Sequence, residues 1–320
     1  MSKILSVILA TTLLVVAFAA PSAAVADEHK FVLVTGASSG IGRNLTEMLA
    51  ENGYHVYAGA RKDEDLAELN AIDNVTAVRL DVTRQDQVDA AVEMIREAGT
   101  GLWGLVNNAG VGGGGPVMGT AMDDHAFVYE VNVEGVYRVT QAFAPLIIES
   151  GGRIVTTGSI AGTISPATYN SYSGSKHWIE SFTDSLAEEM EPQGVFVSVV
   201  EPGSYKSSIR RNSATRRLEQ LQAAGGEVTE EMQKEYEETA ERELSYKEPD
   251  EVSEAFMHAL FDDSPLRRYL VVPVADQQAA TIGKKINELV ELNQWGPYQY
   301  SRDELMEMLD SALSGTPAAE

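Results

Sequence analysis

From Lys30 onward, short runs of β-branched and aliphatic residues alternate with longer stretches in which apolar side chains recur at helical spacing. That rhythm is the signature of strand–helix–strand units, which assemble into a parallel sheet with helices on both faces. Strands are predicted at Phe31 to Thr35, His55 to Gly59, Val75 to Leu80, Leu102 to Asn107, Arg153 to Thr157, Val195 to Val200 and Tyr269 to Val272. The segments VLVT, RIVTT and VFVSVV are apolar almost throughout, as strands buried on both faces must be. The expected fold is therefore α/β, a doubly wound, seven-stranded parallel sheet in one domain spanning residues 30–275. A chain of 320 residues fits one such domain with extensions better than two equal domains.

Three stretches depart from the rhythm. Residues 205–249 are charged and helical in period (RRLEQLQ, EEMQKEYEETAEREL), with no strand before Tyr269. They read either as a helical lid over the carboxyl edge of the sheet, where ligands bind in this architecture, or as a solvated helical hairpin without a specific role. Residues 276–320 form a C-terminal helical extension, with helices expected around Ile282 to Leu292 and Arg302 to Leu313 and a break at Gly296 and Pro297. Residues 1–26 place Lys3 before an apolar run from Ile4 to Ala20 and close on Ala24-Val25-Ala26. That is the pattern of a signal peptide, with cleavage expected before Asp27; the competing reading is an uncleaved membrane anchor. Both put the body of the protein on the non-cytoplasmic side, exported or membrane-attached, with a cytoplasmic location as the alternative.

Composition removes whole classes of chemistry. With 48 acidic against 24 basic residues the net charge is −24, so nucleic acid and anionic bilayer surfaces would be repelled. The absence of cysteine excludes disulfides, thiolate metal sites and a cysteine nucleophile together. His29, His55, His125, His177 and His258 are scattered, with no pair at the i, i+4 spacing that a zinc site favours, so no metal is expected.

The first predicted strand runs directly into Thr35-Gly36-Ala37-Ser38-Ser39-Gly40-Ile41-Gly42 and then a helical stretch from Arg43. A glycine-rich turn alone can be purely structural. Between a strand and a helix, however, glycines give the tight turn and let backbone approach a pyrophosphate seated on the positive helix end. The spacing is G-x-x-x-G-x-G rather than G-x-G-x-x-G. Further on, Tyr172 and Lys176 stand four residues apart, which on a helix puts a phenol and an ammonium on one face. A free tyrosine, with pKa about 10, is nearly all protonated at neutral pH, and a nearby cation lowers that value toward the range useful for acid/base transfer. Y-x-x-x-K by itself also occurs by chance on many helices.

Taken together, these motifs make the chain resemble the short-chain dehydrogenase/reductase family, whose single-domain branch carries a T-G-x-x-x-G-x-G loop on a Rossmann sheet. The spacing separates it from the family's extended branch of epimerases and dehydratases. The resemblance covers roughly residues 30–207 and continues at Leu80-Asp81-Val82, near the adenine ring in the family, and at Asn107-Asn108-Ala109-Gly110 after the fourth strand. Ser159 lies thirteen residues before Tyr172 and Asn132 lies in Val131-Asn132-Val133, completing the family's Asn, Ser, Tyr, Lys tetrad in order. The resemblance implies that Ser159 polarises the substrate oxygen and Tyr172 passes the proton. Lys176 would hold the nicotinamide ribose and lower the Tyr172 pKa, and Asn132 would position a water in the proton relay. It also implies cofactor contacts from Gly36, Ser38, Ser39, Gly40, Ile41 and Gly42, from Asp81 and Val82, and from Asn108, Ala109 and Gly110. Pro202 and Gly203 match the family's turn beside the nicotinamide, and Ser207 is the nearest hydroxyl match to a threonine that contacts its carboxamide.

Cofactor choice falls to the end of the second strand, where an acid would bind a ribose 2′-hydroxyl and an arginine a 2′-phosphate. The residues there are Ala58-Gly59-Ala60-Arg61-Lys62, with no acid before Asp63, so Arg61 and Ser38 favour NADP, with NAD as the alternative. The expected activity is hydride transfer between NADP(H) and a carbonyl or secondary alcohol. By resemblance to members acting on retinoids and steroids, the substrate is expected to be a lipophilic alcohol or ketone. A 3-oxoacyl reductase and a non-catalytic dinucleotide-binding sensor or scaffold are the rivals. A homodimer or homotetramer is the assembly the resemblance implies.

Overall fold

The computed structural model describes residues 30–223 and 225–315, so the signal or anchor reading of residues 1–26 falls outside the described residues. The strands are β1 (Phe31–Val34), β2 (His55–Ala60), β3 (Val75–Arg79), β4 (Gly104–Asn107), β5 (Arg153–Thr157), β6 (Phe196–Pro202) and β7 (Arg268–Val271). All pair in parallel, in the spatial order β3-β2-β1-β4-β5-β6-β7. Between them run α1 (Gly40–Glu51), α2 (Asp63–Asn70), α3 (Gln85–Ala98), α4 (Met122–Tyr129), α5 (Gly135–Ser150) and α6 (Asn170–Met190). After β6 come α7 (Ile209–Ala223), α8 (Glu230–Leu244) and α9 (Asp250–Phe261), and after β7 come α10 (Ala275–Leu292) and α11 (Arg302–Ser314).

Alternation along the strands builds two cores. Val32 and Val34 point to one face, where they meet Leu45, Leu49, Phe256 and Leu260 of α1 and α9, while Leu33 points to the other, against Leu105, Phe143, Ile147 and Ile154. These side chains are fully buried, each stabilising the fold by roughly 1.5–3 kcal/mol relative to exposure. The chain leaves β1 toward β2 and β3, then returns to β4 on the opposite side of β1. The loops after β1 and β4 therefore diverge, and the crevice between them is where such sheets bind ligands.

Every strand but β5 differs by one or two residues from its expected ends, and three of the larger shifts have a local cause. The fourth strand begins at Gly104 rather than Leu102, because Trp103 already donates its N–H to Phe31 O ahead of the ladder. The sixth runs on to Pro202, where proline lacks an N–H and Gly203 N donates to Val271 O instead. The first C-terminal helix begins at Ala275, with Asp276 in its first turn favourably placed against the helix dipole. Among the described residues, no helix is long and apolar enough to cross a membrane, and no cluster of His, Asp and Glu could hold a metal.

Candidate active site

Thr35 ends the β1 turn at the crevice, and its hydroxyl makes the first fastening. Oγ1 accepts from the N–H groups of Asn108 and Ala109, each at 2.9 Å, and donates to Val106 O at 3.3 Å. Asn108 Nδ2 donates to Thr35 O at 3.0 Å and Gly36 O at 3.2 Å, while its Oδ1 accepts from Thr157 Oγ1 at 3.2 Å. One asparagine thus ties together the loops after β1, β4 and β5. The glycines follow from that closeness. At Gly36, whose φ is +65°, a Cβ would lie 2.8 Å from Ala109 Cα, and at Gly42 it would lie 2.3 Å from both Asn108 Nδ2 and Gly36 O.

The start of α1 is open to an anion. Ser39 precedes it without a side-chain cap, and the first turn holds no acidic residue, so its N–H groups and positive dipole end are left to a ligand. Ser38, Gly40 and Ile41 are partly exposed beside it, and a Cβ on Gly40 would lie 3.2 Å from Ser207 Cβ. This cradle fits a pyrophosphate. Toward β2 and β3, the exposed Arg61 lies 4.0 Å from Asp81 Oδ2, while Asp81 Oδ1 accepts from Thr83 N and Oγ1 at 3.0 and 2.8 Å. Val82 is buried against Gly135, and its carbonyl accepts from Arg138 Nη1 at 2.6 Å.

The four tetrad positions converge at the carboxyl ends of β4 and β5. Ser159 opens a tight turn through Gly162, its Oγ accepting from Ala161 N at 3.0 Å. Tyr172, in the first turn of α6, has its ring centroid 4.7 Å from that of Tyr169. Asn132 lies in a π-helical turn, Glu130–Glu134, between α4 and α5, a wider turn often found at functional sites. Its Oδ1 accepts from Val111 N at 2.8 Å, and its Nδ2 donates to Val111 O and Ser175 Oγ, each at 3.0 Å. Ser175 Oγ in turn donates to Tyr172 O at 2.7 Å. The Asn132 side chain is committed to fastening the post-β4 loop to the helix that carries Tyr172.

Lys176, four residues beyond Tyr172, is held by a strand end. Its Nζ donates to Thr157 O at 2.7 Å and lies 5.6 Å from the centre of the Tyr172 ring. A buried ammonium needs an acceptor, and the strand-end carbonyl supplies it. Burial drives the Lys176 pKa down to about 8, against the opposing pull of Glu180. Tyr172 moves upward: burial raises its pKa, and a hydrogen bond with Ser159 and the charge of Arg210 only partly offset this. For Tyr172, desolvation outweighs the lowering by Ser159 and by the Arg210 charge.

Behind Lys176 lies a pair of acids that the motif search did not single out. Glu201 on β6 is 7% exposed, and its Cγ lies 3.2 Å from where a Cβ on Gly158 would stand. Glu180 Oε2 accepts from Arg268 Nε at 3.1 Å, while its Oε1 is buried without a hydrogen-bond partner among the described residues. Burial first, and the Glu180 charge second, push Glu201 up to about 7 from the ordinary 4.5, with Arg268 and Lys285 pulling the other way. The folded state therefore keeps a proton on Glu201 that the unfolded chain releases, so this group's contribution is fullest below pH 4.5 and is lost as pH rises through about 7. Glu201→Gln, which stays neutral, is expected to match the parent at pH 4 and to exceed it by about 3 kcal/mol at pH 8.5. Thermal melts at both pH values check this; an equal gain at the two would show that the proton is not responsible.

The remaining expected positions sit around the same crevice. Gly110 is exposed, with a Cβ there 3.4 Å from Asn132 Oδ1. Gly203 packs on Gln277 of α10, and Ser207 lies by Gly40 at the phosphate end. Thr35, Thr157, Ser175 and Tyr169 were missed; Thr35 was at least signalled by its place immediately before the first loop glycine.

Comparisons with known proteins agree with this geometry. A family model described as short chain dehydrogenase matches residues 30–218. The mitochondrial D-beta-hydroxybutyrate dehydrogenase of Bos taurus is 36% identical over 264 residues, covering 75% of this chain and 76% of the relative. The 3beta-hydroxysteroid dehydrogenase dhs-16 of Caenorhabditis elegans is 33% identical over 267 residues, covering 77% and 69% respectively. Among solved structures, a short chain dehydrogenase/reductase from Burkholderia phymatum in complex with NAD superposes with a TM-score of 0.70 at 28% identity, covering 86% of this chain and 98% of that one.

Proposed function

The chain belongs to the short-chain dehydrogenase family, an oxidoreductase family working on CH–OH and C=O groups with a nicotinamide dinucleotide, and we propose that it interconverts a lipophilic secondary alcohol and its carbonyl using NADP(H). The observation that carries this reading is the gathering of Tyr172, Lys176 and Ser159 at the ends of β4 and β5, with Lys176 Nζ on Thr157 O at 2.7 Å and 5.6 Å from the Tyr172 ring. When bound, the dinucleotide supplies or accepts the hydride. The Gly36 to Gly42 loop would hold its pyrophosphate, and the Lys176 ammonium its ribose hydroxyls. Ser159 donates to the carbonyl oxygen, and Tyr172, held protonated by its raised pKa, delivers the proton to that oxygen during reduction. In the oxidation direction the phenol must first ionise, so that direction gains rate as pH rises. Asn132 acts through position, keeping Val111 and the first turn of α6 in register.

The apolar character of the substrate is supported by the loop after β4. It borders the site, since Asn170 N donates to Gly115 O and a Cβ on Gly112 would lie 2.6 Å from the Tyr169 hydroxyl. It also shows Val117, Met118 and Met122 to solvent, at 67%, 96% and 74% exposure. An apolar lip at a polar crevice suits a greasy ligand. Two copies pairing through α5 and α6 is the assembly supported by the aromatic cluster of Tyr137, Trp178 and Phe182. Residues 1–26 favour a place outside the cytoplasm.

Arg61 supports NADP over NAD, because a 2′-phosphate could take its guanidinium from the 4.0 Å contact with Asp81. In an assay of NADPH and NADH oxidation over a panel of ketones, the parent is expected to prefer NADPH and bulky ketones over 3-oxoacyl thioesters. Arg61→Ala is expected to weaken NADPH by roughly 10- to 100-fold and leave NADH unchanged. An NADPH preference that survives Arg61→Ala would sink the assignment.

A further inference from the structure

The first turn of α7 brings a cation to the site. Glu243 of α8, 3% exposed, accepts from Arg210 N at 2.7 Å and from Arg211 N at 2.9 Å. A carboxylate on two helix-start N–H groups fixes the backbone from which Arg210 projects. The Arg210 guanidinium carbon lies 6.0 Å from the Tyr169 ring, and that ring lies 4.7 Å from Tyr172. Arg210 is exposed to solvent yet close enough to the crevice for its charge to favour the ionised form of both phenols.

The guanidinium has no carboxylate partner among the described residues. In a chain of net charge −24, Arg43, Arg79, Arg84, Arg138 and Arg268 each pair with an acid. Two other arginines of α7 are held by the protein: Arg211 Nη2 donates to Ser208 Oγ at 2.8 Å, and Arg216 Nη2 donates to Gly112 O at 2.7 Å. Place sets Arg210 apart: a guanidinium without a carboxylate partner, next to the aromatic ring that adjoins Tyr172, leaves room for an anion that the protein itself does not supply.

We propose that Arg210 recognises a carboxylate on the substrate, carried a few bonds from the carbonyl, so that the substrate class is an oxo acid or hydroxy acid with an apolar remainder. This rests on the reading of Tyr172 as the general acid. The apolar lip at Val117 and Met118 receives the chain, and Arg210 fixes the end of the molecule that an uncharged ketone would leave unheld.

The test uses the cofactor-loaded enzyme with a 3-oxo acid of medium chain length and its methyl ester, in the parent, Arg210→Ala and Arg210→Lys. The parent is expected to favour the acid over the ester. Arg210→Ala should cut that acid-to-ester ratio in kcat/KM by roughly 10- to 100-fold, mainly through KM, and Arg210→Lys should recover part of it. An acid-to-ester ratio equal in the parent and Arg210→Ala overturns the proposal. Calorimetric Kd values for the matching hydroxy acid separate this inference from its premise. Arg210-dependent binding without turnover of either compound retains the anion site and discards the Tyr172 reading, whereas Kd values that ignore Arg210 discard the anion site. Arg210 is exposed, and unchanged melting temperatures would show that the variants are folded.

Discussion

Tyr172→Phe is expected to lower kcat for carbonyl reduction by about 10³-fold while leaving the cofactor Kd nearly unchanged. The substitution keeps the ring against Tyr169, 4.7 Å between centroids, and removes only the hydroxyl. The raised pKa of Tyr172 makes the sign of the pH dependence definite. Reduction needs the phenol protonated, so its rate should hold through neutral pH and decline only under alkaline conditions, whereas alcohol oxidation should climb with pH. In Tyr172→Phe both profiles should flatten. Steady-state rates in both directions from pH 6 to 10, with cofactor binding followed by fluorescence, provide the check. A variant that loses cofactor affinity in step with kcat would indicate a packing role instead.

Gly42→Ala should disable the protein at a different level, before any chemistry. The new methyl would sit 2.3 Å from Gly36 O, a backbone atom, and 2.3 Å from Asn108 Nδ2, which already holds Thr35 O and Gly36 O. Neither can swing aside as the end of a flexible side chain would. Overpacking of this kind costs roughly 1–3 kcal/mol, and the relief available is to push the glycine loop out of the shape that cradles a pyrophosphate. The expected result is a melting temperature lower by several degrees, together with loss of measurable dinucleotide binding. Gly283→Ala is the matched control, since a Cβ there meets nothing within 4 Å and alanine suits a helix interior better than glycine. Tight cofactor binding by Gly42→Ala would contradict the geometry of the loop.

The fold was legible because strands buried on both faces must be apolar throughout, and Val32 to Val34, Ile154 to Val155 and Val197 to Val200 are so nearly without interruption. Edges were less legible. Leu102 looks like part of a strand because it is apolar and buried, but its burial comes from packing ahead of the ladder. The start of α10 escaped notice because ADQQAAT carries small and polar residues before the apolar face begins at Ile282. At the site, the glycine loop and the Tyr172–Lys176 pair could be read from the residues, and Asn132 and Ser159 from the family resemblance. Their partners could not. The acceptor for Lys176 is a backbone carbonyl nineteen residues away at Thr157, and carbonyls leave no trace in composition. Glu180 and Glu201 lie on α6 and β6 and meet only because those elements pack together behind the Ser159 turn. Arg210 belonged to a segment read only as charged and helical, and its direction is set by Glu243, which lies 33 residues further on.

The central claim is that Tyr172 delivers a proton to a carbonyl oxygen as a hydride reaches the carbon. It is tested most directly with NADPH deuterated at C4 of the nicotinamide, both faces labelled, and a carbonyl substrate found in the ketone panel. Product from the parent should carry deuterium on the carbinol carbon, and Tyr172→Phe loaded with the same cofactor should yield about 10³-fold less of it in the same time. Equal labelled product from Tyr172→Phe, or product from the parent without deuterium, would contradict the account.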